Sequence, residues 1–158
     1  MERSDLIKLI VSVTCTVGLG SLGGLFTISE IPVWYAGLQK PSFNPPNWLF
    51  GPVWTMLYLL MGIAFYLIWK QPASPVKSTA LLLFIIQFAL NFCWSFIFFK
   101  QHAIGMALIE IVLMWGMIFL TILWFGKISS LAAWLLVPYI SWVSFATLLN
   151  AAIWKLNS

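Results

Sequence analysis

Residues 48–69 read WLFGPVWTMLYLLMGIAFYLIW, and no Asp, Glu, Lys or Arg interrupts them. An α-helix rises about 1.5 Å per residue, so roughly 20 apolar residues cross the hydrocarbon core of a bilayer. Because backbone N–H and C=O groups in lipid must bond to each other, this segment is predicted to be a membrane-spanning helix. Pro52 fits that interpretation, since the first turn of a helix tolerates a missing N–H.

Four further segments share the length and apolar character of this stretch. They predict additional spans at about 6–28, 79–99, 103–125 and 131–153. The chain of 158 residues is 62% hydrophobic and 8% charged, whereas a soluble domain carries about 25% charged residues. We therefore predict an all-α fold, a single integral membrane domain over 1–158 that consists of five transmembrane helices.

The basic residues lie at or between these spans and form no basic patch, which argues against a nucleic-acid partner. Five spans put the two chain ends on opposite sides. The side of the N-terminus has Arg3, Lys8, Lys70, Lys77 and Lys127, against Lys40, Lys100 and Lys155 on the other side. A difference of five to three favours a cytoplasmic N-terminus but is too small to assign the orientation. The first span is too long for a signal peptide and lacks an A-x-A-like site after it, so we expect it to be retained.

The longest loop, 29–47, leads into the second span through the sequence KPSFNPPNWLFGPVWT at 40–55. Prolines fix φ and remove N–H donors, so residues 40–52 are predicted to form a stiff, extended segment. We interpret the loop as a preformed lid over a cavity, because preorganisation lowers the ordering cost of binding.

Polar and aromatic residues recur on single faces of three spans. In the third span Gln87, Asn91 and Ser95 follow one another at i, i+4 and i+8, with Trp94 beside them. Two interpretations stay open for that face: interhelical hydrogen bonds that fix the bundle, and a ligand cavity. The corresponding faces carry Trp54, Tyr58 and Phe65 in the second span and Tyr139, Trp142, Ala146 and Asn150 in the fifth.

Glycine and proline positions have structural explanations. The run GLGSLGG at 18–24 contains G-x-G-x-x-G, but it lies within a span, where no strand precedes it. Gly20 and Gly24 instead predict a close-packing face, either within the bundle or between protomers. Pro138 either kinks the fifth span or marks a later helix start.

Few side chains in the spans have reactive chemistry. Cys15 and Cys93 lie in apolar segments and are predicted to be small core residues. With one histidine and no CxxC, the sequence predicts no metal site. Glu110 is the one acidic residue deep in a span, and either a structural role or a proton or cation role would explain it. No catalytic triad, carboxylate pair or phosphate loop is present, so classical hydrolytic and phosphoryl-transfer chemistry is unsupported.

Three blocks of the sequence closely resemble the translocator protein family, also called TspO, tryptophan-rich sensory protein or peripheral-type benzodiazepine receptor. They read WYAGLQKPSFNPPNWLFGPVWTMLYLLMG at 34–62, ALNFCWSFIFF at 89–99 and PYISWVSFATLLN at 138–150. The few charges and compact loops resemble a bacterial member, which implies a multi-pass protein of the bacterial cell membrane. The resemblance also implies a homodimer and a cavity that opens toward the first loop.

The ligands of the family imply what the cavity would bind. Members bind tetrapyrroles such as protoporphyrin IX and haem, and animal members also bind cholesterol and drugs of the benzodiazepine and isoquinoline carboxamide classes. Light-dependent breakdown of protoporphyrin is reported for bacterial members, so the resemblance implies porphyrin as a ligand or substrate and no resident cofactor. Enzyme activity is therefore an open question. A carrier or transporter of lipophiles, and a ligand-responsive sensory protein, are alternatives.

The resemblance also assigns roles to individual positions. The paired indoles associated with porphyrin breakdown correspond to Trp54 and Trp142, and Tyr58 shares the face of Trp54. The other implied ligand-binding positions are Tyr35, Pro45, Asn91, Trp94, Ser95 and Ala146. Ala151 stands where a cholesterol-associated motif of animal members has tyrosine, which makes cholesterol binding at that position doubtful.

Overall fold

The apolar segments form the helices expected of them. A computed structural model describes residues 3–158 and contains no strand in that range, which confirms the all-α prediction. Its α-helices are α1 Arg3–Glu30, α2 Phe50–Trp69, α3 Pro75–Ser95, α4 Ile104–Gly126, α5 Ser130–Leu135 and α6 Val137–Asn157.

Five helical stretches are long and apolar enough to cross a membrane, as predicted. They are Arg3–Tyr35, Asn47–Trp69, Pro75–Lys100, Ile104–Gly126 and Ser130–Asn157. The connections are short, so consecutive spans are antiparallel. The loop before α2, the turn before α4 and the end of α6 therefore share one side of the bundle.

The first span continues beyond the predicted end at residue 28. A π-helical turn, Ile31–Tyr35, follows α1 directly, and helical conformation extends to Gly37. Pro32 has no N–H to give to the carbonyl group of Ile28, and a widened turn at that point preserves the helix direction. The loop is therefore 38–46 rather than 29–47, and Tyr35 belongs to a helix. The prediction that 40–52 is extended is wrong for its last part, because a 3-10 turn, Asn47–Leu49, leads directly into α2.

The fifth span consists of two helices, α5 and α6, which meet at Leu136. Pro138 lies in the first turn of α6. Its ring would clash with the carbonyl group of Trp134 in a continuous helix, and it has no N–H to donate there. Of the two interpretations of Pro138, the structure shows the later helix start.

Close packing of α1 against α2 depends on two glycines. A Cβ atom on Gly20 would lie 2.5 Å from the Tyr58 ring, and one on Gly62 would lie 2.7 Å from the Cα atom of Val13. The hydroxyl of Thr16 donates to the carbonyl oxygen of Tyr58 at 3.0 Å across the same interface. Gly20 therefore packs within the bundle, which is one of the two alternatives for this motif.

Two buried hydrogen bonds join the helices at the centre of the bundle. The hydroxyl of Tyr58 donates to Asn91 Oδ1, and the hydroxyl of Tyr139 donates to Gln87 Oε1, both at 2.9 Å. The polar face of α3 thus forms the interhelical hydrogen bonds that one interpretation of it predicted.

The prediction that Cys15 and Cys93 are core residues is wrong. Both side chains are exposed on the outer surface of the bundle. A weakly polar thiol is compatible with surrounding lipid, so an apolar segment does not by itself tell which of its faces turns inward.

Candidate functional site

A cavity of about 380 Å³ lies between α1, α2, α6 and the end of α3, and Tyr35 and Asn47, at the two ends of the loop 38–46, line it. Its volume falls in the range of small-molecule sites, roughly 300–1,000 Å³. The wall is mainly apolar, and its polar side chains include Ser21, Thr27, Asn47, Thr55 and Asn150. This composition suits an apolar guest with a few polar substituents.

Indole rings from three helices line the cavity. Trp54 on α2 stacks on Tyr58 with ring centroids 5.5 Å apart and 26° between the planes. Trp142 on α6 meets the Phe50 ring edge to face at 6.2 Å. Trp94 on α3 is fixed by a bond from its Nε1 to Asn150 Oδ1 at 3.2 Å. These contacts hold the rings in place before any ligand enters.

The structure brings most of the sequence-predicted site residues together. Those on the cavity wall are Tyr35, Trp54, Tyr58, Trp94, Ser95, Trp142 and Ala146. Two of the positions do not line the wall. Pro45 is buried within the loop, and Asn91 lies behind Tyr58, whose hydroxyl it accepts.

One wall of the cavity was missed by sequence reasoning. Small residues of α1 form it, namely Gly20, Ser21, Gly24 and Thr27. A Cβ atom on Gly24 would meet nothing within 4 Å, in contrast to Gly20. Their helical spacing was a signal for close packing, and it also leaves room where no neighbouring helix fills the space.

The loop is attached to the bundle at several points. The N–H of Gln39 donates to Asn157 Oδ1 at 3.0 Å, and Asn157 Nδ2 donates back to the Gln39 carbonyl oxygen at 2.9 Å. The hydroxyl of Tyr35 donates to Asn44 Oδ1 at 2.6 Å. Phe43 packs against Phe145 with centroids 6.3 Å apart. These contacts fix the loop to α6 and to the end of the first span.

Lys40 contributes to the loop and not to the cavity wall. Its Nζ donates to the carbonyl oxygens of Ala36 at 3.2 Å and Leu38 at 3.0 Å. The same ammonium group lies 5.0 Å from the centroid of the Tyr35 ring. These contacts hold the end of the helical segment that carries Tyr35.

Contacts of His102 support the rim of the cavity near Ile31 and Tyr35. His102 stacks on Trp34 with centroids 4.2 Å apart and 10° between the planes, and its Nε2 lies 3.1 Å from Glu30 Oε2. His102 adopts a φ of 56° in the turn before α4. The turn therefore supports the π-helical segment from outside the cavity.

Within residues 3–158, no group of three or more His, Cys, Asp or Glu side chains lies together. The chemistry that the described site offers is therefore that of aromatic rings, hydroxyl groups and amides. Indole rings stack on flat aromatic molecules and are readily oxidised, so the site suits binding of such a molecule and electron transfer with it.

Comparison with known proteins agrees with this architecture. The family model described as TspO/MBR family matches residues 11–155. The chain is 41% identical over 157 residues to the tryptophan-rich protein TspO of Archaeoglobus fulgidus, covering 98% of this chain and 99% of that protein.

Proteins with other names are also similar to this chain. The translocator protein of Homo sapiens is 42% identical over 138 residues, covering 86% of this chain and 82% of that protein. Protein CrtK of Rhodobacter capsulatus is 35% identical over 139 residues, covering 87% and 85% respectively. With five apolar spans and a family match over most of its length, this multi-pass membrane protein belongs to the TspO/MBR family.

Proposed function

We propose that this protein binds tetrapyrroles, including protoporphyrin IX and haem, in the cavity between α1, α2 and α6, with the loop 38–46 as its lid, and promotes light-dependent oxidation of protoporphyrin IX. The observation that carries the proposal is that Trp54 and Trp142, from two different helices, line the same cavity. The porphyrin is ligand or substrate, and no resident cofactor is required.

The shape and polarity of the cavity support a flat ligand with polar groups at one edge. A Cβ atom on Gly24 would meet nothing within 4 Å, so a planar ring system can approach the backbone of α1 at this point of the wall. The indoles opposite offer flat apolar faces for stacking. At the loop side, Asn47 and Thr27 provide a side-chain amide and a hydroxyl group that can bind carboxylates.

The same arrangement supports photochemistry without acid or base catalysis. A porphyrin excited by light would transfer energy or an electron to dioxygen. Alternatively, it would accept an electron from a nearby indole and pass it to dioxygen, and the oxidised indole would then take an electron from the porphyrin. A porphyrin held against Trp54 and Trp142 under a fixed loop would meet the reactive oxygen species before they diffuse away. Dioxygen is the oxidant, and porphyrin carbon is oxidised.

The remaining features of the proposal concern the setting of this site. The expected location is the bacterial cell membrane, and the expected assembly is a homodimer in lipid. Drugs of the isoquinoline carboxamide class would occupy the same cavity as porphyrin. Transport of porphyrin is the alternative function, and flux into proteoliposomes measured against protein-free vesicles distinguishes it from degradation in place.

A spectroscopic titration tests the proposal directly. The purified protein is titrated with protoporphyrin IX in darkness, and we expect a saturable change in porphyrin absorbance together with quenching of tryptophan fluorescence. Illumination of the complex should then bleach the porphyrin faster than illumination of the same amount in empty micelles. Binding that does not saturate would contradict the proposal, and equal bleaching rates would remove its photochemical part.

A further inference from the structure

Glu110 on α4 is buried inside the bundle in an environment that does not suit a charge. Its side chain is 8% exposed, and neither carboxylate oxygen has a hydrogen-bond partner among the described residues. The Nε2 group of Gln87 on α3 is also buried and without a partner there. A lone ionised carboxylate is very costly in such surroundings, whereas a carboxylic acid is not.

The helix register places Glu110 close to the cavity wall. The hydroxyl of Tyr139 donates to Gln87 Oε1 and lies 3.8 Å from Met114 Sδ. Gln87 on α3 and Met114 on α4 therefore lie at the same height along the bundle axis. Because α3 and α4 are antiparallel, one turn toward the loop leads from Gln87 to Asn91 and from Met114 to Glu110. Asn91 in turn accepts from Tyr58, which lines the cavity.

The helices packed against α4 carry amide and phenol side chains near the height of Glu110. Among the described residues, they carry no cationic side chain there. We define the core polar cluster by its five residues, Tyr58, Gln87, Asn91, Glu110 and Tyr139. Asn150 on α6 is also buried, but it is engaged with Trp94 and the carbonyl oxygen of Ile104. Lys100 and His102 precede α4 and are exposed. Across residues 3–158, the one contact between a basic and an acidic side chain within 4 Å joins His102 to Glu30.

We propose that the core polar cluster is a buried proton-binding site, in which Glu110 holds the proton and ligand binding in the cavity depends on it. An ionised Glu110 would attract the amide donors of Gln87 and Asn91, because hydrogen bonds to a carboxylate are stronger than those to neutral acceptors. Movement of Asn91 would release the Tyr58 hydroxyl and displace the cavity wall.

Protonation of Glu110 and ligand binding are expected to favour each other. The protonated form keeps the wall in place and binds ligand more tightly, so ligand affinity falls as the pH rises and Glu110 ionises. A single linked proton changes the dissociation constant by at most about tenfold per pH unit. This part of the inference rests on the proposed function, whereas the protonation of Glu110 does not.

Infrared spectroscopy of the protein without ligand tests the proton site. We expect the C=O stretch of a protonated carboxyl group in the membrane-reconstituted protein at neutral pH, shifted by deuterium exchange and absent in Glu110→Gln. Asp5→Asn, which alters a carboxyl group near the start of α1, should leave the band unchanged. A spectrum of the unaltered protein without this band, or a band that survives in Glu110→Gln, would overturn the proposal.

The linkage is tested with an uncharged isoquinoline carboxamide as the probe. Between about pH 7 and about pH 9, below the ordinary titration range of lysine and tyrosine, the unaltered protein should lose affinity while Glu110→Gln stays constant. Equal pH dependence in both proteins, or none in either, would refute the linkage. Failure of both proteins to bind the probe at any pH would instead count against the proposed function, and the infrared result would still decide the proton site.

Discussion

Replacing both Trp54 and Trp142 with phenylalanine is expected to reduce light-dependent decay of bound protoporphyrin IX to the rate in empty micelles. Binding in darkness should weaken by no more than about tenfold, because phenylalanine retains an aromatic face and loses part of the stacking area. The measurement is porphyrin absorbance during constant illumination, preceded by a titration in the dark. The reason for the large effect is that phenylalanine is far harder to oxidise than indole.

A control for this double variant is available in the same chain. Trp134 and Trp154 are 68% and 48% exposed and do not line the cavity. Their double replacement with phenylalanine removes the same number of indoles and should leave the decay rate unchanged. If the cavity variant retains both binding and fast decay, then Trp54 and Trp142 have no chemical role.

The variant Gly62→Ala is expected to destabilise the protein by about 1–3 kcal/mol, the usual cost of overpacking. The added Cβ atom would lie 2.7 Å from the Val13 Cα atom and 2.5 Å from the hydroxyl oxygen of Thr16. Backbone atoms cannot rotate away, so α1 and α2 must separate, and the bond from Thr16 to the Tyr58 carbonyl oxygen weakens. Thermal unfolding in detergent should show a midpoint lower by about 2–4 °C for each kcal/mol lost.

The matched control is Gly116→Ala on α4. A Cβ atom at Gly116 would meet nothing within 4 Å. Alanine is the better helix former by about 1 kcal/mol, so this variant should be as stable as the unaltered protein or slightly more stable. Equal unfolding midpoints for the two variants would show that α1 and α2 are not packed as closely as described.

The number and type of the spans were predictable because lipid leaves the backbone few alternatives. Any long apolar segment in a bilayer must satisfy its own N–H and C=O groups, which makes helix the outcome for 48–69 whatever its side chains are. Helix ends depend on local chemistry instead. Pro32 could have terminated the first helix, but a π-helical turn carries the chain on to Tyr35.

The parts of the candidate site that consist of large or polar side chains were predictable from the sequence. The part that consists of open space beside a small residue was not. Trp54, Trp142 and Ala146 were named from the sequence and line one cavity. Gly24 gives no such signal, because a glycine within a helix marks a close contact or an open space equally well. Asn91 shows the reverse problem, since its polar character fits a binding residue and a supporting one alike.

The role of Glu110 was not predictable for the same reason as that of Asn91. Sequence reasoning left a structural role and a proton role open, because hydropathy does not tell which residues surround a carboxyl group. The structure supplies the missing information, namely that the Glu110 side chain is buried and that neither of its oxygens has a hydrogen-bond partner among the described residues.

The most direct test of the cavity as the binding site is a dark titration of Ala146→Trp with protoporphyrin IX. Ala146 lines the cavity, whereas Leu148, two residues further along α6, is 66% exposed on the outer surface. An indole at residue 146 would fill part of the cavity, so saturable binding should be lost, while Leu148→Trp should bind as the unaltered protein does. Unchanged binding by Ala146→Trp, with the protein folded, would contradict the account, because the ligand would then occupy another site.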